Sequence, residues 1–184
     1  TVATLARSED VRSVDVYEIN HDLEQLLRAY HEGTLGGIDN PKVSITWQDG
    51  RTGLALRDKS YDIITQQPVY LKQAGSSLLL SREYMELVKK RLKPGGIFCI
   101  YCNTFGNEAQ ALVVRRTAQQ VFKYCESFGK GYMIIASNDP IPSMTLETVK
   151  ARLSRLPADS VLGGEVKAFG IECFAALHDR PRLD

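Results

Sequence analysis

The sequence has no apolar run approaching the roughly 20 residues of a membrane-spanning helix, and its opening residues do not follow the pattern of a signal peptide. A soluble, cytoplasmic protein is the expectation. It also has almost no net charge: 23 Lys plus Arg stand against 22 Asp plus Glu, giving +1 at pH 7. Without a field of one sign there is nothing to hold a nucleic-acid backbone or an anionic membrane, so the expected partners are small molecules or proteins and not nucleic acid. Cysteine is sparse. The four residues Cys99, Cys102, Cys125 and Cys173 lack the paired spacings of a secreted disulfide framework, which points to a reducing compartment. Cys99 and Cys102 form a C-x-x-C within Gly96 to Cys102, a segment that reads as a strand. Their odd separation sends the two thiols to opposite faces, so both read as small buried apolar residues. His21, His31 and His178 share no spacing with cysteines or acids, and no metal is expected. Ser76-Ser77 sits outside any nucleophile-elbow pattern, which argues against a hydrolytic triad.

What is present is an alternation of short β-rich runs with helical periodicity, the pattern of strands joined by crossover helices in a largely parallel sheet. At 184 residues the chain fits one domain, with residues 1–140 as its core and 141–184 as a helix and tail packing on it. Thr1 to Arg7 reads as a helix already under way. Val14 to Ile19 is a strand, and Asn20 caps a helix carrying Leu23, Leu26, Leu27 and Tyr30 on one face. Val43 to Trp47 is a second strand, running into a turn at Gln48-Asp49-Gly50-Arg51. Ile63 and Ile64 belong to a third. A helix from about Ser81 carries Tyr84, Leu87, Val88, the Arg91 stem and Leu92 at helical spacing and is stopped by Lys93-Pro94-Gly95-Gly96. Its Lys89-Lys90-Arg91 reads as a solvated face. After the strand Ile97 to Tyr101 comes a helix from about Asn107 to Phe122. Two strands, Tyr124 to Phe128 and Tyr132 to Ala136, then lie too close for a helical crossover and must pair antiparallel. A last helix starts at Ser143 or Thr145 and ends before Pro157, with a short helix near Glu172 to Leu177 in the tail.

Open parallel sheets bind ligands at the carboxyl ends of their strands, and three polar residues fall at such ends: Glu18, Asp49 and Gln67. An acid after one strand can accept ribose hydroxyls and an acid after the next the exocyclic amine of adenine; equally, acids in these places serve as caps or solvated residues. Trp47 and Tyr17 fit either the border of an adenine pocket or the core. The third position differs in kind. Tyr61 to Pro68 ends in Gln66-Gln67, and an amide donates and accepts hydrogen bonds but does not take a proton from an amine at neutral pH. Gln66, Gln67 and Tyr70 together could form a polar lining around a different acceptor.

Taken in order, Glu18-Ile19-Asn20, Gln48-Asp49-Gly50-Arg51, Tyr61-Asp62-Ile63-Ile64 and the run from Ser81 to Gly96 resemble the spermidine synthase (polyamine aminopropyltransferase) family over about Thr1 to Pro140. The resemblance implies a three-layer, methyltransferase-like α/β fold, a mostly parallel sheet of seven strands with the last one antiparallel. It implies a pocket for decarboxylated S-adenosylmethionine or S-adenosylmethionine, with Glu18 on the ribose and Asp49-Gly50 on the adenine, and a polyamine as acceptor. The family's first strand and glycine-rich loop would precede Thr1, so this chain is expected to lack that strand; the amino-terminal hairpin through which family members dimerise is also not in it, and a homodimer stays open. Two aspartates that orient and deprotonate the amine in aminopropyltransferases fall on Gln67 and Tyr70. Gln67 to Gly75 instead resembles the divergent spermidine-synthase-like domains fused to transporters. Loss of the base implies a rate lower by about 10²- to 10⁴-fold, and leaves methyl transfer or a noncatalytic nucleoside-sensing role as alternatives.

Overall fold

In a computed structural model the described residues are 2–30, 37–67, 75–102, 108–128, 133–141 and 145–154. The chain divides into two compact units, Thr1–Gly53 with Met144–His178, and Leu54–Ser143 with Asp179–Asp184.

The first unit is built on a parallel pair of strands. After α1 (Val2–Arg7), which packs on the first strand, β1 (Val14–Glu18) and β2 (Val43–Trp47) run side by side in the register Val14↔Val43 to Glu18↔Trp47. Parallel neighbours need a crossover, and α2 (Leu23–Ala29) provides it. Asn20 acts one step earlier than expected: its Oδ1 accepts the Asp22 N–H at 3.1 Å and its carbonyl the Leu23 N–H at 3.2 Å, so it opens the turn while Asp22 takes the cap position without a side-chain bond. The expected apolar face is only partly used. Leu23 and Leu27 are half-buried, whereas Leu26 and Tyr30, the latter already past the helix end, stay exposed.

α3 (Gly50–Leu56) stands where the sequence reading had only a turn. Seven residues including Gly50 and Gly53 are too few and too glycine-rich to display helical periodicity. α6 (Leu146–Ser154) begins after Thr145, whose Oγ1 accepts the Thr148 N–H at 3.2 Å, which settles the start between the two expected caps.

The second unit holds β3 (Tyr61–Gln66), β4 (Leu92–Tyr101), β5 (Tyr124–Phe128) and β6 (Met133–Ser137) in the order β3-β4-β6-β5, with β3 and β4 parallel and β6 antiparallel to both its neighbours. The expected hairpin is present, and β6 inserts between β4 and β5. Six strands are described in all, and β1 and β3 each have one hydrogen-bonded neighbour among the described residues.

α4 (Arg82–Arg91) and α5 (Glu108–Val121) pack against one another and share the core. Ser81 caps α4 by accepting the Tyr84 N–H. Along β4 the strand period is plain: Phe98, Ile100 and then Cys102 are buried, while Ile97 and Cys99 are half-buried and Tyr101 is exposed. Phe98 meets the Tyr84 ring at 6.4 Å and the Phe122 ring at 5.9 Å, and Met85, Val88, Ala118 and Ile134 close around them.

α4 stops at Arg91, just before Lys93-Pro94-Gly95-Gly96 as expected, and two features go beyond what the sequence implies. Lys93-Pro94-Gly95-Gly96 is a bulge inside β4: Tyr61 pairs with Leu92 and Ile63 with Ile97, so four residues of β4 stand against Asp62. Gly95, at φ 73°, makes the bend, its N–H donates to Asp139 at 2.7 Å, and the buried Ser137 hydroxyl donates to the Gly96 carbonyl at 2.9 Å. Lys89 and Lys90 are exposed, as a solvated face requires, but Lys89 and the half-buried Arg91 also bond to backbone carbonyls. Lys89 Nζ reaches the carbonyl of Val121, the last residue of α5, at 2.8 Å; Arg91 donates to the Leu54 and Ala55 carbonyls near the end of α3 at 3.1 and 3.0 Å and to Asp58 at 3.0 Å. Helix carboxyl ends leave carbonyls unbonded and carry partial negative charge, so cations stabilise both.

Replacing Arg91 by Ala is expected to lower unfolding stability by about 2 kcal/mol, since it removes charged hydrogen bonds to two carbonyls; removing exposed Asp58 should cost less than about 0.5 kcal/mol. Urea unfolding distinguishes the two. Burial also pushes the thiols of Cys102 and Cys125 up to about 12 and about 11, from an ordinary 9.0, with Cys125 adding to the effect on Cys102. They are therefore protonated in the folded chain at neutral pH and should react with iodoacetamide at pH 8 at least about a hundredfold more slowly than in urea, read peptide by peptide. The unfolded chain loses these protons first, so the thiols' contribution to stability is complete below pH 9 and declines as pH rises toward 11–12.

Candidate functional site

Parallel pairing places the carboxyl ends of β1 and β2 at one end of the first unit. Glu18 is the last residue of β1 and lies opposite Trp47, the last of β2. The half-buried Glu18 carboxylate accepts the Asn20 N–H on Oε1 at 2.8 Å, leaving Oε2 without a hydrogen-bond partner among the described residues. Two residues beyond Trp47, Asp49 caps α3. Its Oδ1 accepts both the N–H and the hydroxyl of Thr52, each at 2.8 Å, and its carbonyl accepts the Gly53 N–H at 2.8 Å. Asp49 Oδ2 takes no hydrogen bond among the described residues. Each acid thus has one oxygen fixed by local backbone, which sets its direction, and one oxygen still able to accept. Capping and ligand binding are compatible in such a carboxylate.

The two aromatic residues separate. Tyr17 is a packing residue: its ring and the Gln48 amide occupy the place where a Cβ at Gly53 would fall, so the α3 glycine lets helix and ring approach closely. Gly50 has no such crowding, with Tyr17 Cβ at an ordinary 3.6 Å from an added Cβ. Trp47 stacks obliquely on His21, with centroids 5.5 Å apart, and joins Leu27, Ile38 and Ile45 in an open cleft rimmed by Glu24 and Arg28. Arg28 is held by Glu24 at 2.9 Å and Asp39 at 3.3 Å.

In the second unit, β3 ends at the amide Gln66, and a second amide, Gln67, follows it. Gln67 is exposed, one residue past the strand. Gln66 shares parity with half-buried Ile64 and donates from Nε2 to the Leu79 carbonyl at 2.9 Å, while its Oε1 is buried with no hydrogen-bond partner. An unmet buried acceptor costs about 1–3 kcal/mol. The sequence signal that separates Gln66 from Gln67 is its strand parity with half-buried Ile64. Tyr70 lies outside the described residues. No group of three or more His, Cys, Asp or Glu among the described residues is arranged to hold a metal ion.

The sequence profile of the spermine/spermidine synthase domain matches residues 1–136. The chain belongs to the spermine/spermidine synthase family. Among its relatives, polyamine aminopropyltransferase 2 of Pseudomonas aeruginosa is 24% identical over 132 residues, 70% of this chain and 38% of that protein. The chain spans about a third of the length of the curated relatives it matches. Of solved structures, spermidine synthase from Thermotoga maritima superposes with a TM-score of 0.66 at 18% identity, covering 95% of this chain and 60% of that one. Human methyltransferase-like protein 13 in complex with SAH gives 0.59 at 17% identity, covering 83% and 78%. At these identities the likeness is one of fold, and it establishes the methyltransferase-like α/β architecture that this family shares.

Asp49→Ala is expected to cost about 1 kcal/mol through loss of the cap, with Asp49→Asn costing less. Gly53→Ala should cost about 1–3 kcal/mol because the Tyr17 ring must move. Urea unfolding of the three variants checks both expectations.

Proposed function

We propose that the chain binds an adenosyl sulfur compound of the S-adenosylmethionine class at the carboxyl ends of β1 and β2, and that the preferred donor is decarboxylated S-adenosylmethionine. The observation that carries this reading is the pair of half-engaged carboxylates, Glu18 and Asp49, at the same end of one parallel strand pair. Glu18 Oε2 accepts from the ribose hydroxyls; Asp49 Oδ2 accepts from the adenine amine, with Gly50 beside it. Family membership and the fold support the assignment.

The chemistry is aminopropyl transfer. The nitrogen lone pair of a polyamine attacks the carbon next to sulfonium, the carbon–sulfur bond breaks, methylthioadenosine leaves, and the new ammonium group releases its proton to solvent. No carboxylate stands at Gln67 to take that proton earlier. Only the neutral fraction of the amine then reacts, and aliphatic amines ionise near pH 10.4, so the rate should climb about tenfold per unit between pH 7 and 9. The amide at Gln67 also favours a second reading, methyl transfer from S-adenosylmethionine to an acceptor that needs no deprotonation, or binding without turnover.

Calorimetry with S-adenosylmethionine, its decarboxylated form and methylthioadenosine tests the nucleoside site, and failure of all three to bind would sink both transfer readings. If the decarboxylated form binds, Gln67→Asp should raise aminopropyl transfer to putrescine by about 10²-fold or more at pH 7 and flatten its pH dependence. Unchanged turnover would mean that Gln67 is not the position of the base.

A further inference from the structure

The two acids of the first unit are held differently. Glu18 accepts one backbone N–H on Oε1. Asp49 accepts two donors on a single oxygen, because the N–H and the hydroxyl of Thr52 both reach Oδ1, each at 2.8 Å. A carboxylate oxygen offers about two lone-pair sites, so Oδ1 is saturated and an incoming donor finds only Oδ2. Asp49 is half-buried and Thr52 exposed, so the acid faces solvent, and all of these groups belong to the first unit. That division of the carboxylate decides which nucleobase it can read. With both oxygens open, a carboxylate takes two parallel N–H donors, as in a bidentate pair; the ring N–H and amine of guanine present such a pair. With one oxygen open it takes a single donor, and adenine presents its exocyclic amine beside ring nitrogens that only accept.

We propose that Thr52 is a positioning residue that sets base specificity: its hydroxyl occupies Asp49 Oδ1, restricts Asp49 to a one-oxygen contact, and so selects adenine over guanine. The inference rests on the nucleoside reading above and deepens it, since it assigns the choice of base to a side chain that itself touches no ligand. Most residues in place of Thr52 would still give Asp49 a backbone N–H. The hydroxyl is the part that the side chain adds, and it fills the lone pair that a second guanine donor would need.

The test is equilibrium dialysis of the full chain with methylthioadenosine and with its guanine counterpart, methylthioguanosine, in the parent, Thr52→Val and Thr52→Ser. Val keeps the shape and the N–H and removes the hydroxyl. The parent should prefer the adenine nucleoside by about tenfold or more. In Thr52→Val that preference should shrink at least about fivefold, through tighter binding of methylthioguanosine, whereas Thr52→Ser should keep the parental ratio. A role in folding alone would move both affinities together. An unchanged ratio in Thr52→Val, or a parent that binds the two nucleosides equally, overturns the proposal and leaves the nucleoside reading standing. A parent that binds neither overturns both. Should circular dichroism show that Thr52→Val does not fold, Thr52→Ala, which also lacks the hydroxyl, decides by the same ratio.

Discussion

Parallel pairing is the constraint on which the functional geometry depends. Two strands running the same way end at the same edge, and their last backbone groups and the turns beyond them are free of the ladder. In the first unit this brings Glu18 opposite Trp47 and puts Asp49 two residues further on. An antiparallel pair would have sent the two acids to opposite ends. The same rule places Gln66, aligned with Ile100, at the end of β3 in the second unit. Each end is then finished by very local chemistry: an Asn20 N–H on Glu18, a Thr52 pair on Asp49, a Leu79 carbonyl on the Gln66 amide.

The second unit shows how one helix carries several duties. α4 contributes Met85 and Val88, both at 0% exposure, to the core beneath β4, which accounts for its amphipathic spacing. Its last turn sends Lys89 and Arg91 to the carbonyl ends of α5 and α3. In the Lys-Lys-Arg run both lysines are exposed and Arg91 is half-buried, and Lys89 and Arg91 reach carbonyls at the ends of other helices while Lys90 does not.

Much of this was legible in the sequence, for identifiable reasons. Alternating segments announced β1, β2 and β4, a loop too short for a crossover announced the β5–β6 hairpin, and Glu18 and Asp49 could be placed near strand ends because each lies where a β-rich run gives way to turn and helix residues. What escaped was set by distance or brevity. α3 has too few residues for a period to show. The partners of Lys89 and Arg91 lie more than 30 residues away in sequence and are backbone carbonyls, which no residue code announces. Lys93 to Gly96 follows the end of α4 as a helix stop should, but its bulge does not show because Pro and Gly serve both purposes. Gln66 is overshadowed by its neighbour: Gln67 stands out as an amide in place of an acid, whereas Gln66 is set apart only by sharing the strand parity of half-buried Ile64.

The account turns on a nucleoside held through its ribose by a carboxylate whose second oxygen is open. The most direct measurement is the affinity of the chain for methylthioadenosine against its 2′,3′-dideoxy analogue, by equilibrium dialysis, in the parent and in Glu18→Gln. Loss of the hydroxyls should weaken binding to the parent by about tenfold or more, as expected for hydrogen bonds to a charged group, and the penalty should shrink in Glu18→Gln. Equal affinities for the two nucleosides, or no uptake of either, would contradict it.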